Sequence, residues 1–115
     1  MPLPPLWAED WQVMWKDDMQ ELRLNKDSVR VNGGEVEYWY SDTVDAIVDW
    51  MEHRFRVVSD CTNHKLRVIE VFDPATGQTN PAKESEWKDM PYQPDDPVTV
   101  MHYEVCRDYG VQKEE

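Results

Sequence analysis

The chain has 115 residues and carries 24 acidic against 12 basic side chains, a formal charge of −12. That balance argues against direct binding to a phosphate backbone or an anionic bilayer, and no run approaches the roughly 18 apolar residues of a membrane span. With 40% hydrophobic residues, the length suits one domain with one core rather than a disordered chain.

The opening "MPLPPLWAED" has neither the basic stretch nor the continuous apolar stretch of a secretory leader. The expectation is therefore a cytosolic chain, or a mature form whose leader has been removed. Residues 1–9 read as an extended N-terminal arm, 10–110 as a single α+β domain, and 111–115 ("VQKEE") as a flexible tail.

"WQVMW" alternates with the period of a half-buried strand, placing Trp11, Val13 and Trp15 on one side. "QELRLN" alternates again through Leu22 and Leu24. In "DSVRVNGGEVEYWYSD" two alternating runs flank Asn32-Gly33-Gly34, and glycine's tolerance of positive φ favours a β-hairpin there. Residues 43–55 are ambiguous. Val44, Ile47, Val48, Met51 and Phe55 fall at helical spacing, yet a loop feeding the next strand fits equally. From His53 the alternation is clear, with Phe55, Val57, Ser59 and Cys61 on one face. In the next strand Leu66, Val68, Glu70 and Phe72 share a face, opposite Arg67, Ile69 and Val71.

"DPATGQ" is a turn, since Pro74 fixes φ and Gly77 can enter the left-handed region. Residues 79–94 hold three prolines and read as a surface loop anchored by Trp87. "DDPVTVMHYEVCRDYG" reads as a helix, with Asp96 as N-cap, Pro97 at the first position and Gly110 at its end. Val98, Met101, His102, Val105, Cys106 and Tyr109 form its apolar stripe. The fold class is α+β: a five- or six-stranded antiparallel β-sheet with a C-terminal α-helix packed on one face.

Cys61 lies on a strand's inner face and Cys106 on the helix stripe, so both point into the same layer. Pattern alone leaves two readings open, a bridge or two buried thiols acting as small hydrophobes. The order of Trp11, "KDSVRVNGGEVEYW", Asp60-Cys61, "KLRVIEVFD", Trp87, a proline-led helix cap and Cys106 resembles the surface-adhesin protein E-like family. These are small extracytoplasmic domains of Gram-negative bacteria. The resemblance spans about residues 10 to 107. It implies a curved antiparallel sheet, a C-terminal helix, a Cys61–Cys106 disulfide between them, and a periplasmic or cell-surface location.

No constellation carries catalysis. The serines lie outside any G-x-S-x-G elbow, and His53, His64 and His102 lack H-x-x-x-H or H-E-x-x-H spacing. His102 reads as a satisfied half-buried histidine and His64 as a solvated turn residue. Asp42, Asp45, Asp49 and Glu52 recur at three- or four-residue steps, one acidic face if helical. Trp39 sits between Tyr38 and Tyr40, on the face it shares with Glu35 and Glu37, an apolar anchor rimmed by acid. The expected function is a non-enzymatic, adhesin-like module that recognises a protein partner, basic in character, through Trp39, Glu35, Glu37, Asp45 and Asp49. No cofactor and no metal is expected. The alternatives are a small acidic inhibitor (an immunity protein or nucleic-acid mimic) and a binder of a small ligand such as a sugar or haem.

Overall fold

Apolar residues recurring with period two drive most of the chain into strands, because one face of each can then be buried. A computed structural model describes residues 10–45, 50–83 and 85–110. Its strands are β1 (Trp11–Lys16), β2 (Gln20–Asn25), β3 (Arg30–Asn32), β4 (Glu35–Asp45), β5 (Trp50–Asp60), β6 (Lys65–Asp73), β7 (Gln78–Pro81) and β8 (Lys88–Asp89). One helix follows, α1 (Pro97–Val105), continued by a π turn over Cys106–Gly110. Six strands form the continuous antiparallel path β1-β2-β4-β5-β6-β7. Two short ones lie off it, β3 on β4 and β8 on β6. The α+β sheet-and-helix architecture is as expected.

The core is the layer between the sheet and α1. Leu22, Leu24, Val36, Tyr38, Val57 and Leu66 meet Met101 and Val105 there, all essentially solvent-free. Burying each such side chain is worth about 1.5–3 kcal/mol before chain entropy is counted. The helix starts where its cap chemistry dictates. The Asp96 carboxylate accepts a hydrogen bond from the Val98 N–H at 3.1 Å, and Pro97 takes the first turn, where no backbone donor is needed. A disulfide joins Cys61 to Cys106 across a Cα separation of 5.5 Å, tying helix to sheet.

Three details depart from the periodic reading. Residues 43–45 and 50–55 are strand, not helix: β4 and β5 pair without a break from Glu35↔Asp60 to Asp45↔Trp50. Cross-strand contacts such as the Tyr40–Phe55 rings, 5.3 Å apart, outweigh the helical spacing of Val44, Met51 and Phe55. Residues 46–49, like the arm at 1–9 and the tail at 111–115, lie outside the described residues. Second, β1 bulges between Val13 and Trp15, so Trp15 pairs with Leu22 and packs on the core while Trp11 and Val13 stay on the helix-free face. Third, the register of β5 and β6 shifts at Ile69. Leu66 and Val68 remain inward, but Glu70 and Phe72 move to the helix-free face with Arg67. The 79–94 segment also contributes β7 and β8, and Trp87 is exposed rather than anchoring.

Candidate functional site

Residues directly opposite in an antiparallel pair project to the same side. Reading the registers across the sheet therefore assigns the helix-free face. Five of the six arginines of this acidic chain stand on it: Arg23 and Arg54 beside Ser41, Arg56 beside Trp39, Arg30 beside Glu37, and Arg67 beside Val58. Arg56 is clamped by two carboxylates, Glu37 at 2.6 Å and Glu70 at 2.8 Å. The Glu70 hydrogen bond, with Glu37 beside it, holds the guanidinium charged more firmly than usual. Arg54 is buried with its guanidinium over two rings, 5.0 Å from Phe72 and 5.6 Å from Trp11. Arg23 pairs with Glu21.

Glu37 is thus neutralised by a neighbour, while Glu35 is exposed. Trp39 is half-buried on the same face. Its backbone N–H donates to Ser28 Oγ at 2.8 Å. The reason is local. β2 and β3 both pair with β4, and the short 3₁₀ turn Lys26–Ser28 between them leaves Trp39 without a ladder partner on that side. Beyond Trp39, a depression of about 280 Å³ is lined by Arg30, Val31, Asn32, Glu35, Glu37 and Val58. Asp45 ends β4 at the far end of that strand, opposite Trp50, so the fold does not bring it beside Glu35. Asp49 lies outside the described residues.

A second constellation lies under the helix. Tyr38 Oη and Ser59 Oγ are 2.8 Å apart, Ser59 Oγ is 2.9 Å from His102 Nδ1, and His102 Nε2 is 3.2 Å from His64 Nδ1. Tyr38, Ser59 and His102 are fully buried, and burial raises the Tyr38 phenol well above its usual range. Burial, and then the His64 charge, lowers His102 from 6.5 to about 4. His64 occupies the tight turn after β5 at a φ of 52°, its ring stacked on Tyr103 at 4.4 Å. The buried Ser59 and His102 thereby satisfy each other's polar groups within the core. His64, His102 and Cys106 also bring three donor atoms within 4.8 Å of one another, although Cys106 Sγ is engaged in the disulfide.

The fold has a solved counterpart. The structure of Haemophilus influenzae protein E superposes with a TM-score of 0.57 at 16% identity, covering 99% of this chain and 98% of that one. The chain shares the fold of protein E. No family model and no curated protein matches its sequence. At that identity the likeness to protein E concerns the fold, and the chemistry of the helix-free face rests on this chain's own side chains.

Within the protein E fold, sequence reasoning found the Trp39, Glu35 and Glu37 grouping, because period two alone puts them on one face. It missed the arginine ladder, since the bulge at Ile69 is what brings Glu70 and Phe72 beside Arg56 and Arg54. It also missed the His64–His102 pair, 38 residues apart in sequence. The available signal was that Cys61 precedes His64 by three residues while His102 precedes Cys106 by four. Any pairing of the cysteines therefore draws the two histidines together.

Proposed function

We propose that the protein is an extracytoplasmic, non-enzymatic binding module, adhesin-like in role, that takes a protein partner on the helix-free face around Trp39, Glu35 and Glu37. The observation carrying this reading is the depression beside β3 and β4, where exposed Glu35 and half-buried Val58 stand next to the paired Glu37. An apolar and acidic rim around a partly neutralised centre suits a partner surface presenting basic and aliphatic groups. Support for the compartment comes from the Cys61–Cys106 bridge, a cross-link that persists in oxidising surroundings, and from the protein E fold.

The experiment is saturable binding of the full chain to a panel of immobilised host matrix proteins, with Glu35→Lys/Trp39→Ala as the comparison. Wild-type binding to at least one member, weakened ten-fold or more in the double variant, is the expected result. Binding by neither, or equally by both, would remove this face from the reading. A salt titration separates the acidic-inhibitor reading, whose affinity should collapse between low and physiological ionic strength.

A further inference from the structure

We propose that the joint between helix and sheet is a redox-alternating zinc site, in which reduced Cys61 and Cys106 join His64 and His102 in binding one Zn²⁺. Three of the four donors, His64, His102 and Cys106, lie within 4.8 Å of one another with the disulfide formed. A tetrahedral Cys₂His₂ zinc with ordinary bond lengths has N···N edges of about 3.3 Å, N···S edges of about 3.6 Å and an S···S edge of about 3.8 Å. His64 Nδ1 and His102 Nε2 stand 3.2 Å apart, and Cys106 Sγ is 3.9 Å from His102 Nε2. Breaking the Cys61–Cys106 bond frees both sulfurs, and Cys61 Sγ, outside the cluster formed by the other three donors, must swing toward the histidines. Rotation of the two cysteine side chains supplies that once the bond is broken.

The ligands come from two short segments with zinc-like spacing. Cys61 and His64 share the turn after β5 as C-x₂-H, and His102 and Cys106 lie one helical turn apart as H-x₃-C. The outer hydrogen bonds fit as well. Ser59 Oγ, backed by Tyr38, lies 2.9 Å from His102 Nδ1. With Nδ1–H donating to Ser59, Nε2 presents its lone pair toward His64 and Cys106. Two thiolates and two neutral imidazoles cancel the ion's charge, which suits a layer where His102 and Cys106 are buried. His64, half-buried at the edge, provides the way in.

The redox step balances with a dithiol reductant. It delivers two electrons and two protons to the Cys61–Cys106 bond and leaves as a cyclic disulfide. Zn²⁺ then displaces the two thiol protons into solvent. The reverse runs with a disulfide as oxidant, which takes two electrons from the thiolates and two protons from solvent, leaves as the dithiol and expels Zn²⁺ as the Cys61–Cys106 bond re-forms.

The test titrates Zn²⁺, and Co²⁺ as its spectroscopic stand-in, into the full chain with the bridge intact and after reduction. A phosphine serves as reductant, because dithiols compete for zinc. It leaves as the phosphine oxide, taking its oxygen from water. One ion per reduced chain, thiolate-to-cobalt charge transfer with tetrahedral cobalt bands, and no binding to the oxidised chain are expected. His64→Gln should weaken binding at least ten-fold, and Cys61→Ser should abolish the charge-transfer band. Absence of that band in the reduced wild type, or equal affinity in His64→Gln, would overturn the proposal. If reduction alone abolishes the near-ultraviolet circular dichroism, its return on adding one equivalent of Zn²⁺ supports the site, and no return overturns it.

Discussion

Gly110, at the end of the π turn, has no side chain because there is no room for one. A Cβ at that position would sit 2.5 Å from Cys61 Sγ and 3.3 Å from Val36 Cγ2. Gly110→Ala should therefore destabilise the protein by about 1–3 kcal/mol through overpacking around the disulfide, read as a lower denaturation midpoint. Gly77→Ala tests a different cause, since its added Cβ meets nothing but must occupy a φ of 74°. His102 carries a pH signature in the disulfide-bonded, metal-free protein. Its folded value of about 4 lies below the ordinary 6.5, so between the two the unfolded chain binds the extra proton. Stability is then full above about 6.5 and falls as pH drops toward 4. The groups facing the ring are Ser59, His64 and Asp60, and the Asp60 carboxyl is held below its ordinary 3.8, outside that window. His102→Gln should shrink the loss of stability between pH 7 and pH 4.5. An unchanged loss would assign it to other groups.

Two bulges decide what each strand shows to each side. The skipped residue in β1 moves Trp15 onto the core, and the one at Ile69 in β6 moves Glu70 and Phe72 off it. Were Ile69 paired in a regular ladder, Glu70 would face the apolar layer and Arg56 would lose one of its two carboxylates. Ile69 is the extra residue, so deleting it should leave Glu70 and Phe72 on the helix-free face in an unbroken ladder and cost at most about 1–2 kcal/mol, whereas deleting the paired Val71 should turn Phe72 to the other face and cost several kcal/mol. Circular dichroism and urea denaturation of the two variants distinguish these outcomes, and equal effects would reject the register argument. Neither bulge could be read in the chain. Period-two patterning reports which residues alternate, and a bulge is an interruption that only partner strands enforce. The β4–β5 pairing is a similar case, where helical spacing of apolar residues was coincidental and the length of the cross-strand ladder prevailed.

For the molecule as a whole, the disulfide closes a loop spanning β6 to the helix, with its ends 45 residues apart. In the chain-entropy account a loop of that size contributes about 4 kcal/mol, large against the roughly 5–15 kcal/mol of a small domain. Cys106→Ser should lower unfolding free energy by several kcal/mol, and a change under about 1 kcal/mol would reject a structural role for the bridge. The net charge of −12 is unevenly arranged, because five arginines gather on the face without the helix. The charge that face presents therefore differs from what net charge alone suggests.

By itself the sequence determined the local and periodic properties: that the clearly alternating segments are strands, where the helix begins at Asp96 and Pro97, which stripe it buries, and that Cys61 and Cys106 share a layer. These follow from side-chain alternation, capping and backbone restrictions, which act over a few residues. Tertiary structure alone decided the arginine ladder, the inward turn of Trp15, and the approach of His64 to His102. Each depends on register between strands or on the docking of α1 over the sheet. Such long-range pairings are set by the total packing of both layers, and no short window of sequence contains them.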